Sequence, residues 1–361
     1  MATDVTLARV SATPEERTAL AGVLRAHAGY CRKVSTPFYA DLMVLMADEV
    51  DAGSPMAELM APDATDPELG YRLRVLGGLH RMVLGGEAPD LARHYPSAGG
   101  DGDAAAAWPR IRELLAEPPP AVLDALTRPP QTNEVGRSAA LVGGFLLVAG
   151  HTGLPLRILE LGSSAGLNLR FDRYRYQQDG VGFGEPASPV RFENRWKPGR
   201  PPFDADCRVV ERRGCDRDPI DATAEDGRLR LLSYVWPGQT ERFELLAAAL
   251  EVARDDPVTV DRAAIPDWLD QQLRSTVPDR ATVVFHSVVW SYLADDERAA
   301  VGSTLWAAGE RAGPDAPLAW LRLEGAPTMD HTELRLTTWP GGGEQFLARA
   351  SYHIGPVNWF A

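Results

Sequence analysis

Residues 160–168 read Glu160-Leu161-Gly162-Ser163-Ser164-Ala165-Gly166-Leu167-Asn168. Small residues at 162–166 let backbone amides approach an electron-rich group. Glu160, just before the turn, can accept hydrogen bonds from a cationic or hydroxyl-bearing ligand. The same stretch, Gly162-Ser163-Ser164-Ala165-Gly166, also spells the turn that carries the nucleophile of serine hydrolases. On that reading Ser164 attacks an acyl carbon, Asp261 or Asp295 supplies the acid, and His331 or His353 the base. Two features weigh against it: an acid, Glu160, in the strand leading to the turn, and no upstream His-Gly-Gly loop to hold an oxyanion.

Either chemistry needs a strand before the turn and a helix after it. Residues 157–161 are an apolar run ended by glycine, which predicts a buried parallel strand, and 207–213, 258–260, 282–286 and 318–323 are similar. Helix-compatible stretches lie between them at 164–173, 241–253, 268–273 and 295–311. Strands alternating with helices predict an α/β domain with a parallel sheet. Residues 333–339 and 345–353 flank Pro340-Gly341-Gly342-Gly343, which predicts an antiparallel hairpin closing one edge of the sheet. An Asp179-Gly180 turn between strand-like flanks predicts a smaller hairpin, part of an insertion at about 174–202 of the kind that builds substrate pockets. Residues 1–130 read instead as helices separated by Pro and Gly, so the expected division is a helical domain over 1–130 and the sheet domain over 131–361. Thr13-Pro14-Glu15-Glu16 starts one helix, a second follows Pro37, and Leu69, Leu73, Leu76, Leu79 and Val83 predict a third over about 67–84.

With Glu160, Gly162 and Gly166 after an apolar strand, the chain resembles the class I S-adenosylmethionine-dependent methyltransferases, Ser164 standing where they have a central glycine. The resemblance covers roughly residues 133–361. It implies a Rossmann-like methyltransferase sheet with a terminal antiparallel hairpin, beside the N-terminal helical domain. It also implies S-adenosylmethionine as cofactor, held by Glu160, Gly162, Ser163, Ser164, Gly166 and Asn168. Asp216, in Arg213-Gly214-Cys215-Asp216, resembles the acid that holds the cofactor ribose. It lies much farther from the turn than the about 20 residues of a compact dinucleotide unit, which the insertion explains. A competing assignment makes 229–235 the second strand and leaves Asp216 in the insertion. Residues 258–268 resemble the third strand and the adenine-side loop, and the final hairpin resembles the sixth and seventh strands. Residues 283–293 resemble the fourth strand and its turn, which makes His286 and Tyr292 the expected catalytic or substrate-contacting groups. The whole chain also resembles a bacterial family of uncharacterised methyltransferase-like proteins, a likeness that adds a fold and no reaction.

Several of these residues have a second, plainer reading. Arg137 either pairs with a buried Glu160 or with Glu134 one helical turn away, or joins Asn133 in gripping the cofactor's carboxylate. His286 is either a general base or a hydrogen-bonded core histidine. His331, Glu333 and His353 include metal-ligand types, but their scatter gives no metal-site spacing and no metal is expected. Trp236, Trp339 and Trp359 are expected to pack at turns.

Bulk composition narrows the partners. A net charge of −13 argues against nucleic acid, whose phosphates need a basic face. Three cysteines without metal spacing suit a reducing compartment. The most apolar stretch, 139–150, is short of the roughly 20 residues that cross a bilayer, and no apolar signal core precedes it, so a cytoplasmic protein without a membrane partner is expected. The expected function is methyl transfer from S-adenosylmethionine to a small-molecule acceptor, with the N-terminal helices and the insertion covering the pocket. Positioning and a base for the acceptor's proton suffice for that chemistry. A non-catalytic or regulatory protein that keeps the cofactor fold is the second reading and the Ser164 hydrolase the third. Acceptor and oligomeric state carry no sequence signature.

Overall fold

The computed structural model describes residues 12–353 and 355–361. Thr13 opens the first helix, Pro14–Lys33, through a reciprocal cap: its hydroxyl accepts from Glu16 N at 3.2 Å, and its own amide donates to Glu16 Oε2 at 2.7 Å. A second helix spans Pro37–Asp51. The helix predicted over 67–84 is shorter, Tyr71–Leu84, preceded by a 3-10 turn at Pro67–Leu69. The cause is Asp63: its buried carboxylate takes the amides of Tyr71 at 2.8 Å and Arg72 at 2.9 Å, which fixes the helix start there. These helices and Ala104–Ala116 share a core that includes Leu24, Met43, Met46, Leu76, Leu79 and Ile111.

By contacts the chain forms two compact units, one of residues up to 132 with 228–243, the other of 133–227 with 244–361. The linear division at 130 does not foresee the return of 228–243 to the helices. There Trp236 packs edge-on to Tyr30, ring centroids 6.0 Å apart, and the Ser233 carbonyl lies 3.0 Å from His80 Nδ1.

The second unit contains a mixed sheet of eight strands and a smaller one of three. In chain order the strands are β1 (Leu156–Leu161), β2 (Arg175–Gln178), β3 (Val181–Gly184), β4 (Arg191–Glu193), β5 (Val209–Asp216), β6 (Thr259–Arg262), β7 (Ala281–Ser287), β8 (Leu318–Gly325), β9 (Thr332–Trp339), β10 (Gly343–Ala350) and β11 (Val357–Trp359). The large sheet runs β11-β10-β9-β8-β7-β1-β5-β6. From β6 to β8 all pairings are parallel, and from β8 to β11 all are antiparallel. The terminal hairpin forms as β9 and β10, but β11 takes the edge beyond it.

Both faces of β1, β7 and β8 are covered, which is why they read as largely apolar runs. On one face lies the helix Ser138–Thr152, buried nearly all round, with Phe145 edge-on to Phe285 at 5.0 Å. Full burial of a side chain of that size stabilises by roughly 1.5–3 kcal/mol. On the other face Trp268, Leu269 and Leu305, from the helices Ile265–Gln272 and Asp295–Glu310, join Leu159, Leu161, Val284 and Trp320 in one core. No helix among the described residues is long and apolar enough to cross a membrane.

The structure decides between the two candidates for the second strand. β5 lies parallel to β1, with Gly214 opposite Glu160, whereas residues 229–233 belong to the helix Glu225–Ser233. The helix expected over 164–173 does not form; a short 3-10 segment, Asn168–Arg173, stands in its place. Side chains take the carbonyls that a helix would use: Arg170 Nη1 donates to Gly166 O at 2.8 Å and Tyr174 Oη to Leu167 O at 2.6 Å. The crossover from β1 to β5 carries the small sheet instead, β2 and β3 closing on the Asp179-Gly180 turn as expected. Tyr176, stacked on Phe192 at 5.2 Å, and Trp196 give that sheet an aromatic core.

Candidate functional site

In the large sheet β5 and β6 are added on one side of β1, and β7 and β8 on the other, so the winding reverses between β1 and β7. Ligands of open parallel sheets sit beyond the carboxyl ends of the strands at such a reversal. The turn 162–168 leaves β1 at that point.

Its conformation demands small residues. Gly162 has φ 66°, and a Cβ added there would lie 2.6 Å from Val289 Cγ2. Gly166 has φ 68°, and a Cβ would lie 2.9 Å from Val258 Cγ2. Ser164 also stands in the left-handed region, at φ 54°.

Small residues predict amides open to a ligand, but those of residues 163–167 are taken within the protein. Ser163 N donates to Cys215 O at 2.9 Å, Ser164 N to Asp216 Oδ2 at 2.8 Å, and Gly166 N to Ser163 O at 2.7 Å. Asn133 Oδ1 takes both Ala165 N at 3.2 Å and Leu167 N at 3.0 Å. With its carbonyl so used, Asn133 holds the turn. Ser163, fully buried, donates its hydroxyl to Glu160 O at 2.9 Å, and Asn168 accepts from Ser138 Oγ at 2.7 Å. Both are parts of the scaffold. Arg137 donates to Ser287 O at 2.8 Å and Tyr352 O at 3.2 Å, so these backbone carbonyls anchor its guanidinium.

Two polar atoms at the turn are buried without a hydrogen-bond partner among the described residues: Glu160 Oε2 and Ser164 Oγ. Glu160 is only 2% exposed. Burial pushes its carboxyl well above the usual carboxylate range, and the neighbouring charge of Asp216 adds to this against the opposing charges of Arg137 and Arg170. A buried acceptor without a donor costs about 1–3 kcal/mol. That cost is understandable where a ligand supplies the donor.

Asp216 ends β5 beside the turn, where its two oxygens accept Ser164 N at 2.8 Å and Asp218 N at 2.9 Å. Asp216→Asn would set an amide donor against one of these N–H groups. We expect the variant to lose about 1–3 kcal/mol in denaturant unfolding of the free protein. A curve superimposable on wild type would show that the carboxylate does not hold the turn.

The two expected catalytic groups are not brought together. His286 is 1% exposed and both ring nitrogens are engaged: Trp320 Nε1, a donor only, gives its proton to Nε2 at 3.1 Å, so Nδ1 carries the proton shared with Glu324 Oε1 at 2.5 Å. Both nitrogens thus have partners within the protein. Tyr292 is 76% exposed on a 3-10 turn. The hydrolase arrangement is also not assembled, since no histidine reaches Ser164 Oγ. His331 Nδ1 bonds Asp330 at 2.6 Å and His353 Nδ1 lies 3.2 Å from Glu134 Oε2. No group of three or more metal-ligating side chains occurs among the described residues.

Sequence reasoning missed Arg170 and Glu324. Arg170 is 2% exposed and ties Gly166 O to Asp256 O, the latter at 2.7 Å. Glu324 binds His286 and the turn after β7. Both depend on strand register and crossovers, for which the sequence has no local signal.

Together these features define a mixed α/β protein with a mostly parallel eight-stranded sheet and a tight glycine turn at its winding reversal. The chain belongs to the family described as "Uncharacterized protein conserved in bacteria (DUF2332)", whose model matches residues 21–359. No curated protein and no solved structure matches it.

Proposed function

We propose that the protein binds S-adenosylmethionine at the carboxyl ends of β1 and β5 and transfers its methyl group to a small-molecule acceptor in the cytoplasm. The observation that carries the reading is the buried, unpartnered Glu160 Oε2 at the winding reversal. Counted along the chain, the large sheet has the order 3-2-1-4-5-6-7-8, which begins as the doubly wound nucleotide-binding sheet does and supports a Rossmann-like assignment. A ligand cation beside Glu160 would satisfy the orphaned oxygen and favour its charged form. Ser164 Oγ, also orphaned, can donate or accept. Asp216, at the end of β5 beside the turn, places a second carboxylate at the same point, where the resemblance puts the acid that meets a ribose.

When bound, the cofactor supplies a methyl group already activated on a sulfonium. The chain's own residues then hold and orient it: Glu160 offers a negative partner, and Gly162 and Gly166 keep side chains out of the turn. Free thiols at Cys31, Cys207 and Cys215 agree with a reducing compartment. A second reading, binding without catalysis, is favoured by the engagement of both His286 nitrogens and by the exposure of Tyr292.

S-adenosylhomocysteine is expected to raise the melting temperature of the purified protein, with native mass spectrometry showing one ligand per chain. Absence of a shift at millimolar ligand would remove both readings. Methyl release from labelled S-adenosylmethionine with candidate acceptors then separates a transferase from a binding protein.

A further inference from the structure

We propose that Glu324 is a positioning residue for the glycine turn, acting through the strained segment that follows β7. The inference rests on the cofactor reading for its ligand, though not for its geometry. Val288 has φ 53°, a left-handed conformation that a β-branched residue adopts only when its surroundings impose it. Three contacts impose it here. Val288 N donates to Leu323 O at 2.9 Å, while the Glu324 carboxylate accepts Val289 N at 3.1 Å on Oε1 and Trp290 N at 3.3 Å on Oε2. His286 Nδ1 steadies the same carboxylate at 2.5 Å, and its ring stacks on Trp290 at 5.3 Å.

The strain has a visible consequence. It directs the side chain of Val289 onto Gly162, where a Cβ would lie 2.6 Å from Val289 Cγ2 and 3.0 Å from Cγ1. The carboxyl ends of β1 and β7 are thus locked together by Val289, and Glu324 at the end of β8 sets the position of Val289. The chain of contacts runs from Glu324 through the backbone of 288–290 and the Val289 methyls to Gly162, two residues from Glu160.

Glu324→Gln keeps the size and replaces one acceptor oxygen by an amide donor facing an N–H group. In the ligand-free protein, amides 160–168 of the variant are expected to exchange hydrogen about tenfold faster than in wild type. S-adenosylhomocysteine affinity should fall about tenfold. Adding Val288→Gly should restore most of both losses, because glycine adopts φ 53° without strain and needs less holding. A role in general stability alone predicts faster exchange throughout the sheet rather than an effect centred on 160–168. Should Glu324→Gln fail to fold, Val289→Ala removes the methyls on Gly162 and should accelerate exchange in the same amides. Wild-type exchange at 160–168 in either variant, or no rescue by Val288→Gly, overturns the proposal. If wild type itself binds no S-adenosylhomocysteine, the cofactor reading fails, and the exchange data alone decide the role of Glu324.

Discussion

Glu160→Gln is expected to melt above wild type at pH 8 and to lose its response to S-adenosylhomocysteine. In the folded chain, burial and the charge of Asp216 raise the Glu160 carboxyl well above its ordinary value of 4.5. A carboxyl raised in this way favours folding fully below its unfolded pKa, and that contribution is lost as pH rises through the folded pKa. The wild-type penalty therefore grows from about pH 4.5 upward, and the glutamine variant, which does not titrate, escapes it. Glutamine still places a polar amide in the same buried space, so the expected gain comes from the lost charge alone. The readout is the melting difference between variant and wild type at pH 5 and pH 8, which cancels the titration of every other group. A difference that grows with pH in the variant's favour supports the assignment. A variant less stable at both values would mean that attraction to Arg137 and Arg170 outweighs burial. Higher stability with lost binding is the exchange expected of a residue kept for a ligand.

The parts of the fold legible in the sequence are those whose signals are local. β1 and β7 read as strands because helices cover both faces and leave them largely apolar, with Arg157, Glu160 and His286 as exceptions. The Thr13 cap and the turns at Asp179-Gly180 and 340–343 are written in the residues that form them. The errors arise where a distant group decides. Residues 164–173 are helix-compatible, yet the carbonyls of Gly166 and Leu167 accept tight 3-10 amides together with the side chains of Arg170 and Tyr174. Residues 229–235 are rich in Leu and Val, a short apolar run that periodicity alone cannot assign to strand or helix.

The same division holds at the site. An acid at a strand tip followed by spaced glycines was visible, and Glu160, Gly162 and Gly166 lie where the pattern puts them. What the pattern does not contain is the occupancy of the amides. Asn133 comes before β1 in the chain and reaches Ala165 and Leu167 only because the helix Ser138–Thr152 returns it to that end of the sheet. His286 reads in the sequence as either a base or a core histidine, and its partners Trp320 and Glu324 both lie on β8, a strand whose register against β7 no local feature announces.

Gly162→Ala tests whether that packing or the backbone conformation excludes a side chain from the turn. Alanine at φ 66° costs about 1–2 kcal/mol in conformation alone. Its Cβ would also lie 2.6 Å from Val289 Cγ2, an overlap whose relief by local shifts costs a further 1–3 kcal/mol or so. The single variant should therefore lose about 2–5 kcal/mol, enough to make it a poor test of ligand binding by itself. Val289→Ala removes Cγ1 and Cγ2 and leaves its own Cβ 3.4 Å from the new methyl, a contact needing little adjustment. In the double variant the steric cost should disappear while the conformational cost remains. The two substitutions are then expected to be non-additive by at least about 1 kcal/mol, the double variant being more stable than the sum of the singles predicts. Denaturant unfolding of all four proteins measures this directly. Strict additivity would mean that Val289 does not close the space beside Gly162, leaving φ 66° alone as the reason for glycine at this position.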